Sequence, residues 1–485
     1  MALLLLGYSI FSVRLAQYRL LWADEIATFM TASRPEIPLL DMLRSGMDVM
    51  PPLYLYLARL SVSVFGATDL AVRIPAMVGG ILFSLCFFEI LRKWCGSVWA
   101  VIGMVCMFQG ILVSYVTEAR SYALVVGLLA LASLAWQRAT GPGRTWKIVV
   151  MGLAMGAAVA GHYHAVIGLL PIAAGQLARD YRNRRLDFAI WSAMVIPFLV
   201  LAAHMPLFLT IRAAYNGVLP GSKDGAVYRF VDTLRRMSES LYLIPAVLLL
   251  RWVYGEKAEE PAERSATILE AFCFMGGAAG ILFAGKAVSV LTGTQLYPRY
   301  LLFSAAGFTG LAVLLVAWRR PPSPAIRMIV LLLVILSAAR SMRNEYNSHS
   351  INRDAVVWVR DNVSSANGPT LLGNMFSFIV LHHYRTAEKL PLIELPVFSQ
   401  AESQSAADAS NYYFLEVQRR YFPDLPLRNW NELMRQKGQY QVLQWRDTMP
   451  WVLRESIRMG GKPQLISHGD DWSVYTVRTP LPTSP

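Results

Sequence analysis

Long apolar runs, separated by short polar segments, constrain this chain more than any other feature. A helix that crosses a bilayer needs about 20 mostly apolar residues, because lipid offers the backbone no hydrogen bonds. Runs of that kind occur near 1–19, 71–91, 97–116, 120–137, 146–160, 163–178, 187–208, 238–253, 266–285, 299–318 and 325–341. Hydrophobic residues make up 55% of the 485 positions, charged residues only 16%, and the mean hydropathy is +0.40, which no ordinary soluble core accommodates. The expected fold is a polytopic α-helical membrane protein of about eleven spans, several of them short.

The basic residues give the topology. The clusters Arg92/Lys93, Arg138/Arg144/Lys147, Arg179/Arg182/Arg184/Arg185, Arg251/Lys257/Arg264 and Arg319/Arg320/Arg327 fall in every second loop, which the positive-inside rule assigns to the cytoplasm together with the N-terminus. The formal net charge of +13 is therefore a topological signal spread over loops, and nucleic-acid binding is excluded. The first run lacks a charged n-region and an A-x-A site before Trp22, so it reads as an anchor rather than a secretory signal. Cys86, Cys95, Cys106 and Cys273 lie in or beside apolar runs, which argues against a disulfide framework.

The remaining loops fall on the outer face: 20–70, the Glu118-Ala119-Arg120 corner, the Gly161-His162-Tyr163-His164 corner, 209–237, 286–298 and everything after Arg340. Within the first, Pro51 to Phe65 is too short to span and carries Arg59. It reads as a helix in the interface, with proline at its start and Tyr54 and Tyr56 at headgroup depth. A twelfth span there would invert the sidedness of every later loop. The chain thus divides into a membrane module, 1–341, whose 20–70 loop carries an acid pair and the interfacial helix, and a polar region, 342–485. The latter alternates short helical patterns (354–361, 411–421, 449–459) with short apolar runs (371–372, 441–444, 474–477), as in a small extracytoplasmic α/β domain.

Asp24 and Glu25 sit a few residues past the first run. Two adjacent carboxylates just outside a bilayer are cheap to solvate and close enough to act on a group carried by a lipid head. Around them the motif order resembles the GT-C membrane glycosyltransferases, in particular the branch of dolichyl-phosphate-mannose protein mannosyltransferases and bacterial aminoarabinose (lipid A) transferases, glycosyltransferase family 39-like. The carrying motifs are Trp22-Ala23-Asp24-Glu25, Pro51-Pro52-Leu53-Tyr54, Glu118-Ala119-Arg120-Ser121-Tyr122, His162-Tyr163 and Pro298-Arg299-Tyr300-Leu301. The resemblance covers roughly residues 1–341 and departs at Met50, where the family often has His or Lys.

What the resemblance implies is an inverting transferase on the periplasmic face of a bacterial inner membrane. It would take one sugar from a polyprenyl-phosphate donor and add it to a hydroxyl of a glycan, lipid or protein acceptor. Such a donor carries its own leaving group, so the enzyme must supply a base for the acceptor and positive charge for the departing phosphate. Asp24 matches the family's catalytic acid and is the expected base, with Glu25 orienting it or helping to hold a divalent cation. Arg299 and Arg120 are the expected phosphate ligands, since guanidinium meets phosphate oxygens bidentately, with Lys286 third and Glu118 positioning Arg120. His162 and His164 are expected to hydrogen-bond phosphate or sugar; the alternative is a divalent-metal site with Asp24 or Glu25, for which the pair supplies only two of the three or four ligands needed. Tyr163, Tyr54 and Tyr300 complete the expected substrate-facing set. No other cofactor is expected. A lipid-linked glycan polymerase or ligase would rely on an outer arginine or histidine and be indifferent to loss of Asp24. A flippase or transporter would place its ionisable residues at mid-membrane depth.

Overall fold

The computed structural model describes residues 1–45, 48, 50–109, 111–214, 226–254, 267–292, 297–318, 322–397, 419–435, 438–445 and 451–478. Lys257, Arg264, Arg319, Arg320 and most of the helical pattern expected at 411–421 lie outside these residues. The chain forms two compact units, one of residues 1–18, 50–209 and 221–346, the other of residues 19–49, 210–220 and 347–485.

The first unit is helical, and each of the eleven apolar runs carries helix. Among the described residues, four helices are long and apolar enough to cross a membrane: Asp69–Cys95, Phe188–Ile211, Thr267–Leu291 and Pro324–Asn362. Shorter apolar helices include Ala2–Tyr18, Ser97–Cys106, Tyr122–Gln137 and Phe303–Ala317. The expected interfacial segment is a separate helix, Pro52–Phe65. Several runs are interrupted where the backbone loses a donor or tightens. The 187–208 run breaks after Ala193, where Pro197 has no N–H to return to it. The 163–178 and 299–318 runs open as 3₁₀ turns, Tyr163–Gly168 and Pro298–Leu301.

Small residues let the helices approach closely. A side chain at Gly127 would collide with the backbone carbonyl of Gly79, and one at Gly79 with the backbone of Leu124, so Asp69–Cys95 and Tyr122–Gln137 touch main chain to main chain. Arg179, expected as a solvent-facing topology charge, is instead buried. It bonds both carboxylate oxygens of Glu270, at 2.6 and 3.2 Å, and stacks 4.4 Å over Trp136. The desolvated guanidinium requires that carboxylate.

The last helix runs from Pro324 to Asn362 rather than ending near 341, since no glycine or proline occurs between 325 and 362 to stop it. Beyond it the second unit contains a six-stranded sheet of β1 (Thr370–Leu371), β2 (Ile393–Val397), β3 (Leu427–Asn429), β4 (Gln439–Trp445), β5 (Lys462–His468) and β6 (Trp472–Arg478), in the order β3-β2-β1-β4-β6-β5. The first four strands are parallel, with helix Met375–Tyr384 crossing from β1 to β2, while β6 runs antiparallel between β4 and β5. Leu371, Trp430, Tyr440, Val442, Val452 and Val477 form its core.

Residues 19–49 pack with this second unit, although sequence order alone grouped them with the membrane module. The Leu21 N–H donates to the Tyr384 hydroxyl at 2.6 Å, Phe29 meets the His383 ring edge-on at 4.8 Å, and the Arg34 guanidinium lies 5.0 Å from the Phe422 ring. The acid pair therefore stands on a segment held by the C-terminal residues.

Candidate functional site

In the first unit, the turn after Gly161 and the 3₁₀ turn at Pro298 converge on the start of helix Tyr122–Gln137. His162 is extended, and its Nδ1 accepts the His164 N–H at 3.3 Å. That leaves Nε2 as the protonated, donating nitrogen of a neutral ring. Loss of hydration, then the neighbouring His164, Arg120 and Arg299, holds the His162 pKa well below the usual histidine value. The Tyr300 ring stacks on His164 at 4.8 Å and lies 4.7 Å from His162. The Arg299 guanidinium sits 4.6, 5.6 and 5.7 Å from the rings of Tyr297, Tyr300 and Tyr122. Together Tyr122, His162, His164, Arg299 and Tyr300 line one cleft, with Val125 and Phe303 among its apolar walls. Three tyrosine rings surround the cation within cation–π range, and the planar N–H fork is the part of an arginine that recognises phosphate oxygens.

The other expected residues divide. Arg120 and Glu118 are buried in the turn leading into helix Tyr122–Gln137, where the Arg120 N–H donates to the Glu118 carbonyl at 2.7 Å. Arg120 is close enough to contribute to the lowered His162 pKa. Tyr163 points away from its two histidine neighbours, meeting His204 at 6.0 Å and Phe208 at 5.4 Å. Lys286 lies in mid-helix with its Nζ 6.0 Å from the Phe230 ring, outside the cleft. Tyr54 is fully buried and donates its hydroxyl to the Val72 carbonyl at 2.9 Å. It locks Pro52–Phe65 onto the next helix, in place of the headgroup or substrate contact expected of it.

In the second unit, Asp24 and Glu25 occupy the first turn of helix Ala23–Ala32, where the helix dipole favours carboxylates. Their environments differ sharply. Glu25 is fully buried, and its Oε2 accepts from Arg19 Nη2 and from the Trp22 N–H, each at 3.3 Å. Asp24 remains partly exposed. Glu25 thus fixes the turn through Arg19 and Trp22, and Asp24 is the more exposed carboxylate of the pair.

Sequence reasoning missed Asp48 and Tyr297. Asp48 is buried and its Oδ2 lies 3.5 Å from the Thr28 Oγ1, one turn beyond Asp24. A lone acid between Met47 and Val49 carries no periodic signal. Tyr297 precedes the Pro298 motif by one residue, and only the fold shows that its ring meets Arg299. Among the described residues, no three His, Cys, Asp or Glu side chains converge in a metal-binding group, and the Glu25 carboxylate is already engaged by Arg19.

Residues 49–208 match the family model described as dolichyl-phosphate-mannose-protein mannosyltransferase. Among solved structures, ArnT from Cupriavidus metallidurans in the apo state superposes with a TM-score of 0.53 at 12% identity, over 98% of this chain and 97% of that chain. The same protein bound to undecaprenyl phosphate gives 0.45 at 13% identity, over 98% and 97%. An oligosaccharyltransferase from Archaeoglobus fulgidus, in complex with Zn and sulfate, gives 0.40 at 14% identity, over 90% of this chain and 67% of that one. No curated protein sequence matches. The apo ArnT likeness establishes the fold, and the two lower scores add nothing to it. The chain resembles the GT-C membrane glycosyltransferases, on the mannosyltransferase and ArnT-like side.

Proposed function

We propose that this chain is an inverting glycosyltransferase that moves a single sugar from a polyprenyl-phosphate donor to an acceptor hydroxyl on the extracytoplasmic face of a bacterial inner membrane. The observation that carries the reading is Arg299, surrounded by three tyrosine rings in a cleft that also presents His162 and His164. A phosphate leaving from the anomeric carbon gains charge as the bond breaks, and a preorganised guanidinium stabilises that charge without reorganising. Neutral His162, donating through Nε2, suits a phosphate oxygen or a sugar hydroxyl.

Asp24 is assigned the base. Its carboxylate takes the acceptor proton, the hydroxyl oxygen bonds to the anomeric carbon, and the bond to the phosphate oxygen breaks in one displacement, which inverts the centre. The donor class is the one named in the description of the family model that matches residues 49–208. In this reading the eleven apolar runs all span, and the sheet-bearing unit lies outside the membrane with the acid-bearing segment. The polymerase or ligase reading draws on the same Arg299 and His162 cluster and differs in making Asp24 dispensable.

The test is stereochemical. Purified protein in phosphatidylcholine nanodiscs is given synthetic polyprenyl-phosphate sugars of known anomeric configuration, with native membrane lipids as acceptor, and the product is read by the NMR coupling of its anomeric proton. Inversion supports the reading. Retention, or no consumption of any donor, overturns it.

A further inference from the structure

The first unit holds a second cleft that the proposed reaction does not use. It is lined by Gln109, Arg236, Glu239, Ser240 and Thr309, with Met107 and Leu112 among its apolar walls. Its floor is polar in a region where polar groups are costly: Thr309 Oγ1 donates to Ser240 Oγ at 2.8 Å, and both residues are buried. Beside it, Gln109 Nε2 donates to the Tyr242 hydroxyl at 2.8 Å and Gln109 Oε1 accepts from Ser337 at 2.6 Å, so two separate helical segments fix this amide in place.

The charge at the mouth decides the ligand class. Arg236 Nε is held by Asp232 at 2.8 Å, and Arg235 shares the same carboxylate at 3.1 Å. The Glu239 carboxylate stands at the mouth and forms no ion pair or hydrogen bond among the described residues. Arg235 and Arg236 with Asp232 and Glu239 sum to a formal charge of zero, which gives a phosphate no net attraction and leaves carboxylate oxygens to accept hydrogen bonds. A carboxylate, an amide and a guanidinium around an apolar-walled slot suit a neutral polyhydroxyl ring, whose hydroxyls pair with the polar groups while its C–H face meets the walls.

The same helices serve both clefts. Leu112 of helix Ile111–Val116 lines this one, while Tyr115, on the same short helix, meets Tyr122 of the first cleft edge-on at 5.4 Å. On helix Phe303–Trp318, Phe303 lines the first cleft and Ala305 the second. We infer that the Gln109, Arg236 and Glu239 cleft binds a glycosyl group by its hydroxyls, as the acceptor subsite beside the phosphate-binding one. This rests on the transferase reading above for the word acceptor, and makes that acceptor a glycan or glycolipid.

The experiment reads binding alone, so its outcome is separable from that of donor turnover. The full chain in phosphatidylcholine nanodiscs is titrated with phenyl β-glucoside, galactoside and mannoside, and saturation-transfer NMR is recorded on the ring protons, with phenol as the probe lacking the sugar. Binding of at least one glycoside but not phenol, weakened tenfold or more in both Glu239→Gln and Gln109→Ala, is the expected result. The lipid-facing Leu248→Ala variant, at a residue 59% exposed, is expected to bind like the parent and reports intact folding. Phenol binding as well as the glycosides, absence of glycoside binding, or equal binding by the parent and both cleft variants overturns the inference.

Discussion

Replacing Glu25 separates structure from chemistry at the acid pair. Its side chain is fully buried and that of Arg19 is 9% exposed, and they meet at 3.3 Å while the same oxygen caps the Trp22 N–H. Glu25→Ala removes one member of a buried pair, which costs about 3–5 kcal/mol. Glu25→Gln keeps the shape and an oxygen for the Trp22 N–H and loses only the charge assistance, about 1.5–3 kcal/mol. At roughly 2–4 °C per kcal/mol, alanine should lower the melting temperature by on the order of 10 °C and glutamine by about half of that. The assay is thermal unfolding of the purified protein followed by tryptophan fluorescence, paired with donor consumption measured well below both transitions. The account expects the two variants to melt in that order and Glu25→Gln to keep most of its low-temperature activity. A Glu25→Gln protein that melts with the parent yet consumes no donor would refute the positioning role and put Glu25 in the chemistry.

Other consequences are open to direct measurement. Arg299→Lys keeps the charge but loses the planar fork that three tyrosine rings surround, so donor kcat/KM should fall about 10- to 100-fold, the worth of a charge-assisted hydrogen bond; an unchanged value would remove Arg299 from the donor site. Because burial holds the His162 pKa low in the folded state, the unfolded chain binds more protons as pH falls through about 6.5. Stability owed to the neutral ring is complete above that pH and lost below it. The melting temperature of the parent should thus drop further between pH 7.5 and 5.5 than that of His162→Gln, and equal drops would contradict the assignment. Gly127→Val forces a side chain into the Gly79 carbonyl and should destabilise by about 1–3 kcal/mol or more, and a wild-type melting curve would show the helix contact to be loose.

How much of this was legible beforehand follows from which forces are local. The apolar runs reported their own helices, because a bilayer-length stretch of Leu, Val and Ala has few other fates. Pro51-Pro52 likewise announced the Pro52–Phe65 helix. The breaks were less readable, since a 3₁₀ turn such as Tyr163–Gly168 is selected by what its histidines stack against rather than by its own residues. The Arg299 cleft could be assembled from motifs at loop corners on one face. Its third aromatic wall, Tyr297, could not, and neither could Asp48, whose burial depends on Thr28 twenty positions away. Tyr54 misled because an interfacial tyrosine and a buried one look alike in sequence, and only its bond to Val72 tells them apart. The pairing of residues 19–49 with the C-terminal unit was invisible for the same reason: the Leu21 to Tyr384 bond spans most of the chain.

The central claim is that Asp24 performs the proton transfer, and donor consumption by Asp24→Asn tests it most directly. The parent and the variant, matched in amount and in melting temperature, are given a synthetic polyprenyl-phosphate sugar, and release of polyprenyl phosphate is followed over time. The account predicts that Asp24→Asn folds like the parent and releases polyprenyl phosphate at least a hundredfold more slowly, the low end of what a positioned base contributes, about 10²–10⁴-fold. Equal rates would contradict it, and would move the chemistry to Arg299 and His162 as in a ligase.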